Sequence, residues 1–426
     1  MKEFIFKNLS DAMKKELIKR NAVKTDKLYS KVKNICTTVK KNGINAAIRY
    51  AVKYDSFSAN SILVSKKEFI EAEKQIPLQL KEAIKSAYKN IYKFHEKQLP
   101  HGYGVETTKG VFCEKRFMPI ENVGLYIPAG TAPLPSTMLM LGIPAQIAGC
   151  KRVVAASPVQ NKINSAILYA AKLCGITEFL KIGGAQGIAL MAYGCSNFRK
   201  VDKIFGPGNQ FVTTAKSLIS IDPDGCSIDM LAGPSELVII ADDYANPHFV
   251  AADLLSQAEH GKDSLVILLT TSKELYKKVV LSIQKQLVVL PRKKIAKAAL
   301  KNSFCILFSN IDQAIKFSND FAPEHLIINV KNPRKYKDKI INAGSVFIGQ
   351  FTPESAGDYA SGTNHSLPTY GFARSTGGVS VEMFMKGVTF QSITLMGLKR
   401  LSKSIVTLAE AESLNAHAEA VKVRLK

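Results

Sequence analysis

Four groupings along the chain hold side chains that could do chemistry. Gln257 and His260 are three apart at the end of an expected helix over 247–260, so they share a face and could converge on one ion, although such a pair also serves as a cap. Pro323-Glu324-His325 stands at the entrance of an apolar strand, where a carboxylate and an imidazole could trade protons. Strand alternation would send these two neighbours to opposite faces, so cooperation requires irregular backbone there. The stretch 354–365 gathers Glu354, Asp358 and His365 on a glycine-bearing loop, and Glu412 and His417 lie five apart on a helix near the end of the chain.

Two glycine-rich turns add a possible nucleotide site. Gly183-Gly184-Ala-Gln186-Gly187 and Gly206-Pro-Gly208-Asn209-Gln210 each follow a strand and open a helix, the place where backbone N–H groups can meet a phosphate. Neither completes G-x-G-x-x-G, because Phe211 occupies the third glycine's place in the second turn.

The elements that must carry these groups follow from periodicity. Residues 8 to 95 read as helices with Lys-rich outer faces. From about 104 the texture changes to strand and helix alternating every ten to fifteen residues, with strands at 152–158, 203–205, 236–240, 264–269, 304–308 and 326–330. That rhythm implies parallel crossovers and sheets covered on both faces. Residues 381–426 read as a helical tail with little core of its own.

Composition narrows the class. The 426 residues carry 58 Lys and Arg against 35 Asp and Glu, a net charge of +23, and are 46% apolar, which excludes global disorder. The charge is uneven: +12 over residues 1–100, +1 over 101–250 and +10 over 251–426. It is therefore read as a Lys-rich surface, with no nucleic acid partner expected. The most apolar stretch, 134–150, is broken by Gly142, Pro144, Gln146 and Gly149, so no membrane span is expected. The N-terminus lacks the apolar core of a signal peptide, and the seven cysteines include no C-x-x-C pair, which together suggest a reduced, cytoplasmic location. Cys113 and Cys150 read as buried small apolar residues without a paired base.

Taken together, the stretches resemble the histidinol dehydrogenase family from about Gly124 to His417. The resemblance is carried by Gly124-Leu-Tyr-Ile-Pro, Gly183-Gly-Ala-Gln, Ile204-Phe-Gly-Pro-Gly-Asn, Ile228-Asp-Met-Leu-Ala-Gly-Pro-Ser-Glu236, Asp253-Leu-Leu-Ser-Gln-Ala-Glu-His-Gly261, Pro323-Glu-His-Leu326 and Ser355-Ala-Gly-Asp-Tyr-Ala-Ser-Gly-Thr-Asn-His365, in that order. It implies an α/β fold of two incomplete Rossmann-like domains with a helical N-terminal arm and a helical C-terminal dimerisation tail. The expected division is an arm over 1–22, a larger α/β domain over 23–125 and 236–379 with the metal and acid/base residues, an NAD-binding domain over 126–235, and a tail over 380–426 reaching the neighbouring subunit.

The resemblance also implies a reaction and its residues. L-histidinol, two NAD⁺ and water would give L-histidine and two NADH by successive hydride transfers through the aldehyde, the last step of histidine biosynthesis. Glu324 and His325 would be the acid/base pair. One Zn²⁺ per subunit, with Mn²⁺ or Co²⁺ as substitutes, would sit on Gln257, His260, Asp358 and His417, a set of nitrogen and oxygen donors suited to these ions. Ser235, His325, His365 and Glu412, together with the metal ligands, would contact substrate, and Tyr126, Gln186 and Asn209 would contact NAD⁺. Glu412 and His417 would enter the partner's site in a homodimer. Phe321 departs from the Tyr of many relatives. Two rival readings exist: a hydrolase using the same metal site to activate water, and a basic nucleic-acid-binding protein. NADH formation on addition of L-histidinol separates all three.

Overall fold

The run Glu236–Ala241 is buried at every position, as a central parallel strand sandwiched between helices must be. In the computed structural model, which describes residues 1–20, 26–129, 132–231 and 233–426, this strand lies inside a six-stranded parallel sheet. The spatial order is Lys2–Ile5, Phe304–Leu307, Leu265–Thr270, Glu236–Ala241, His325–Asn329 and Ser345–Ile348. A second parallel sheet has five strands in the order Glu178–Leu180, Arg152–Ala156, Asn122–Tyr126, Lys203–Phe205 and Ser227–Ile228. Two α/β sheets agree with the expected fold class.

Several boundaries differ from expectation. The arm begins with a strand, Lys2–Ile5, because its alternating Phe4 and neighbours extend the open edge of the larger sheet beside Phe304–Leu307; among the arm's described residues only Asp11–Ile18 is α-helical. The expected junction at 22/23 lies outside the described residues.

The helices Asp26–Asp55, Lys66–Gln75 and Leu78–His95 cover the five-stranded sheet rather than joining the larger domain. Their apolar stripes decide this: Val32, Ile35 and Val39 pack with Ile188, Met191 and Val212, while Ile84 and Ile91 pack with Met138 and Leu141. A boundary at 125/126 would also cut the strand Asn122–Tyr126.

The tail is not wholly helical. Met385–Ile393 pairs antiparallel with Val111–Pro119, which in turn pairs with Tyr103–Thr108 in a third, three-stranded sheet. Phe384 anchors its start by stacking on Phe205 at a centroid distance of 3.7 Å. The helices Leu395–Ala411 and Asn415–Lys422 follow. Among the described residues no helix is long and apolar enough to cross a membrane. All seven cysteines are free, and Cys113 and Cys150 are half-buried rather than buried, since each lies at the margin of its packing layer.

Candidate active site

A cleft of about 2780 Å³ runs between the sheets. That exceeds the usual 300–1,000 Å³ of a small-ligand pocket and leaves room for a dinucleotide beside a second molecule. One wall is built by the carboxyl ends of the five-stranded sheet, where Tyr126, Gly184, Gly208 and Asn209 face the opening. The other wall is the amino edge of the larger sheet, carrying Ser235, His260, Glu324, His325, Asp358 and His365. The candidate acid/base pair thus sits at the strand end opposite to the one open α/β sheets ordinarily use.

The irregular backbone that Glu324 and His325 require is present. Ala322 caps the helix Ile311–Phe321 in a left-handed conformation (φ 52°, ψ 68°) although fully buried, and Pro323 follows. The chain then enters the strand His325–Asn329 with both side chains on the cleft, 3.6 Å apart.

Glu236 ties the two together through its backbone. Its N–H donates to Glu324 Oε2 at 2.8 Å, and its carbonyl oxygen lies 3.2 Å from His325 Nδ1. A carbonyl only accepts, so the contact to Glu236 is served by the tautomer with the proton on Nδ1 and the lone pair on Nε2, whereas the Gln257 amide nitrogen, 3.2 Å from the same Nδ1, is served by the opposite one. His325 Nε2 is buried without a hydrogen-bond partner and faces Asp358 Oδ1 at 3.8 Å.

Burial pushes the His325 imidazole down to about 4, which keeps it a neutral base at physiological pH. Burial likewise raises the Glu324 carboxyl well above the ordinary carboxylate range, against the pull of the Glu236 N–H. A group whose proton is held more tightly in the folded chain contributes stability that is fully present below its unfolded value and lost as pH rises through the folded one. Glu324→Gln preserves an acceptor for the Glu236 N–H and removes that loss. The chelated variant is expected to be more stable than the chelated wild type at about pH 8, with the gap closing toward about pH 4. Denaturant melts at the two pH values check this; a gap unchanged by pH would contradict it.

The donor set suits a metal ion. Gln257 Oε1 and Glu354 Oε1 are, like His325 Nε2, buried and unpartnered. His325, Glu354 and Asp358 offer ligand atoms all within 4.8 Å of one another. Buried orphan oxygen and nitrogen atoms of this kind are costly unless a cation or ligand takes them, and the set has the hard-to-borderline character of a zinc or manganese site.

A family model described as histidinol dehydrogenase matches residues 18–425. The chain belongs to the histidinol dehydrogenase family. It is 49% identical over 427 residues to a histidinol dehydrogenase of Campylobacter jejuni (strain RM1221), covering 100% of this chain and 99% of that protein. It is also 49% identical to one of Aliivibrio fischeri (strain ATCC 700601 / ES114), covering 100% and 97%. The crystal structure of histidinol dehydrogenase from Elizabethkingia anophelis superposes with a TM-score of 0.94 at 48% identity, covering 100% of this chain and 98% of that one.

Against the residues expected from the histidinol dehydrogenase resemblance, the geometry is uneven. Gln257 lies at the last turn of Pro247–Ala258, its Nε2 3.2 Å from His325 Nδ1. His260 falls beyond the helix, exposed in a turn with Nδ1 3.4 Å from Ser235 Oγ, so the two do not share a helical face. The Gly261 break, with the His260 N–H bonded to Gln257 O, accounts for the early end. Asp358 lies on the short helix Glu354–Tyr359 rather than on a loop, and its carbonyl accepts from His365 Nδ1 at 2.8 Å. His365 Nε2 then accepts from the Thr137 hydroxyl at 3.1 Å, linking the two walls.

Glu412 and His417 are exposed on the tail, which packs on its own preceding helix, and they do not reach the cleft within one chain. The expected quartet of Gln257, His260, Asp358 and His417 is therefore not assembled by a single chain. On the wall expected to meet NAD⁺, Tyr126 Oη accepts from the Gly184 N–H at 3.1 Å, and Asn209 Oδ1 caps the helix Gln210–Ser220. Gln186 is buried behind the wall, where its amide donates to Asp55 at 2.9 Å. A Cβ on Gly206 (φ 118°) would collide with the Tyr126 carbonyl, so only glycine lets the two central strand ends come this close.

Sequence reasoning missed four residues of this region. Glu354 was visible as a carboxylate in a dense polar stretch, but its burial was not. Glu236, Asp55 and Arg20 gave no local signal, because each acquires its role through partners 88 or more residues away.

Proposed function

We propose that this chain oxidises L-histidinol to L-histidine with two NAD⁺ and one water. The reading is supported by full-length similarity to histidinol dehydrogenases, and the observation that carries it is a buried Glu324–His325 pair with a free Nε2 on the floor of a two-sheet cleft. His325 Nε2 takes the hydroxyl proton as the carbon loses hydride, giving the aldehyde, one NADH and one proton. Glu324 then draws a proton from the water that adds to the aldehyde, and His325 accepts the hydrate's hydroxyl proton as the second hydride departs. The carboxylate product, a second NADH and two further protons balance this half.

NAD⁺ supplies the hydride acceptor, and Tyr126, Gln186 and Asn209 position it, Gln186 acting from behind through Asp55. Gln257, His260 and Asp358, with His417 from a second copy of the chain, would hold one zinc ion, with manganese or cobalt as substitutes, whose charge and fixed coordination orient a chelating amino alcohol. Ser235, His365 and Glu412 complete the substrate contacts.

The homodimer is part of this reading. The tail and the three-stranded sheet present Leu395, Met396, Leu408, Val423, Tyr103, Phe112 and Phe390 to solvent in one chain, apolar surface that a second copy would cover. The reading also places the enzyme in the cytoplasm. Production of NADH on adding L-histidinol to the metal-loaded protein tests it; hydrolysis without NADH, or nucleic-acid binding alone, would favour the rivals.

A further inference from the structure

Arg20 is one of the most constrained side chains in the molecule, yet it lies far from the chemistry in sequence. Its Nε and Nη2 donate to the two carboxylate oxygens of Glu236, both at 2.9 Å, and the pair is almost fully buried. Nη2 also donates to the Ala322 carbonyl at 3.2 Å, Nη1 donates to the Ile18 carbonyl at 3.2 Å, and the guanidinium carbon sits 3.6 Å from the centroid of the Phe321 ring.

These partners are the two backbone segments that set the acid/base pair. Glu236 directs Glu324 with its N–H and His325 with its carbonyl, while Ala322 is the left-handed residue that turns the chain into Pro323-Glu324-His325. The Tyr370 N–H, at 3.2 Å from Glu236 Oε1, is a further donor to that carboxylate. A planar fork that is bidentate on one side, bonded to a strained carbonyl on the other and stacked on Phe321 is a task for arginine, not for lysine. The Phe321 ring gives the guanidinium an apolar face without a hydroxyl.

We propose that Arg20 is a positioning residue for the oxidation: by clamping Glu236 to Ala322 it fixes the relative placement of Glu324 and His325, and so couples the N-terminal arm to turnover. The proposal rests on the acid/base reading of that pair. Small displacements of reacting groups cost about 10²-fold in rate, so Arg20→Ala is expected to lower kcat by about that factor while leaving KM for NAD⁺ within about twofold. Arg20→Lys, which keeps the charge but not the fork, is expected to lose about tenfold. Millimolar guanidinium is expected to restore at least about a tenth of the lost kcat to Arg20→Ala, a rescue that a purely stabilising role would not show.

The test is steady-state NADH kinetics on full-length, metal-loaded protein, with metal content and thermal melts measured on the same samples. A folded Arg20→Ala with kcat within about threefold of wild type overturns the proposal, as does a folded, impaired variant that guanidinium does not rescue. If Arg20→Ala does not fold, Arg20→Lys decides: a wild-type melt with wild-type kcat overturns the proposal, and a wild-type melt with reduced kcat supports it. An inactive wild type in the same assay would instead refute the underlying acid/base reading.

Discussion

His325→Asn is expected to cut NADH formation from L-histidinol by about 10²- to 10⁴-fold while metal content stays at the wild-type level. The asparagine amide can still donate to the Glu236 carbonyl that now faces Nδ1, so the surrounding backbone keeps its partner. What disappears is the Nε2 lone pair, a basic atom that is buried with no hydrogen bond of its own. The measurement is kcat alongside bound metal on one preparation. It also resolves an ambiguity of the geometry, because His325 shares a cation-sized grouping with Glu354 and Asp358. Metal lost in proportion to activity would make His325 a ligand rather than a base.

His417→Ala is expected to act in the other order, losing metal first and activity with it. The larger effect lies in mixing. Each single variant alone is nearly inactive, but if His417 serves the partner's site, a hybrid dimer of His325→Asn with His417→Ala contains one site with both residues intact. Random reassortment then recovers about a quarter of wild-type activity. If His417 served its own chain, no hybrid site would be complete and no activity would return. The exposed position of His417 on Asn415–Lys422, away from the cleft of its own chain, is the reason to expect recovery.

The sequence made the buried parallel strands legible because their signal is local: Glu236–Ala241 and Leu265–Thr270 are continuous apolar runs, and both were placed within a residue or two. Lys2–Ile5, Tyr103–Thr108 and Met385–Ile393 were not, since each is largely exposed and reads as polar chain until its partner is known. The packing of the N-terminal helices was misassigned for a related reason. An amphipathic stripe such as Val32, Ile35 and Val39 says that a face is buried, not against which sheet.

The candidate site divides along the same line. Pro323 announced the break before Glu324 and His325, and the left-handed Ala322 is the form that break takes. Glu354 shows the limit. Its neighbours read as a loop, and only the short helix Glu354–Tyr359 under Ser256 turns an apparently solvated carboxylate into a buried one. The net charge of +23 carried no information about the cleft, where Glu324, Glu354 and Asp358 gather three carboxyl groups on one wall and burial raises two of them, Glu324 and Glu354, well above the ordinary carboxylate range.

The most direct measurement is a progress curve with limiting L-histidinol and excess NAD⁺ on the metal-loaded protein, following NADH absorbance and analysing the product. The account predicts about two NADH per L-histidinol consumed, with L-histidine as the product and no free aldehyde accumulating. No NADH at all, or a single equivalent with the aldehyde left in solution, would contradict it.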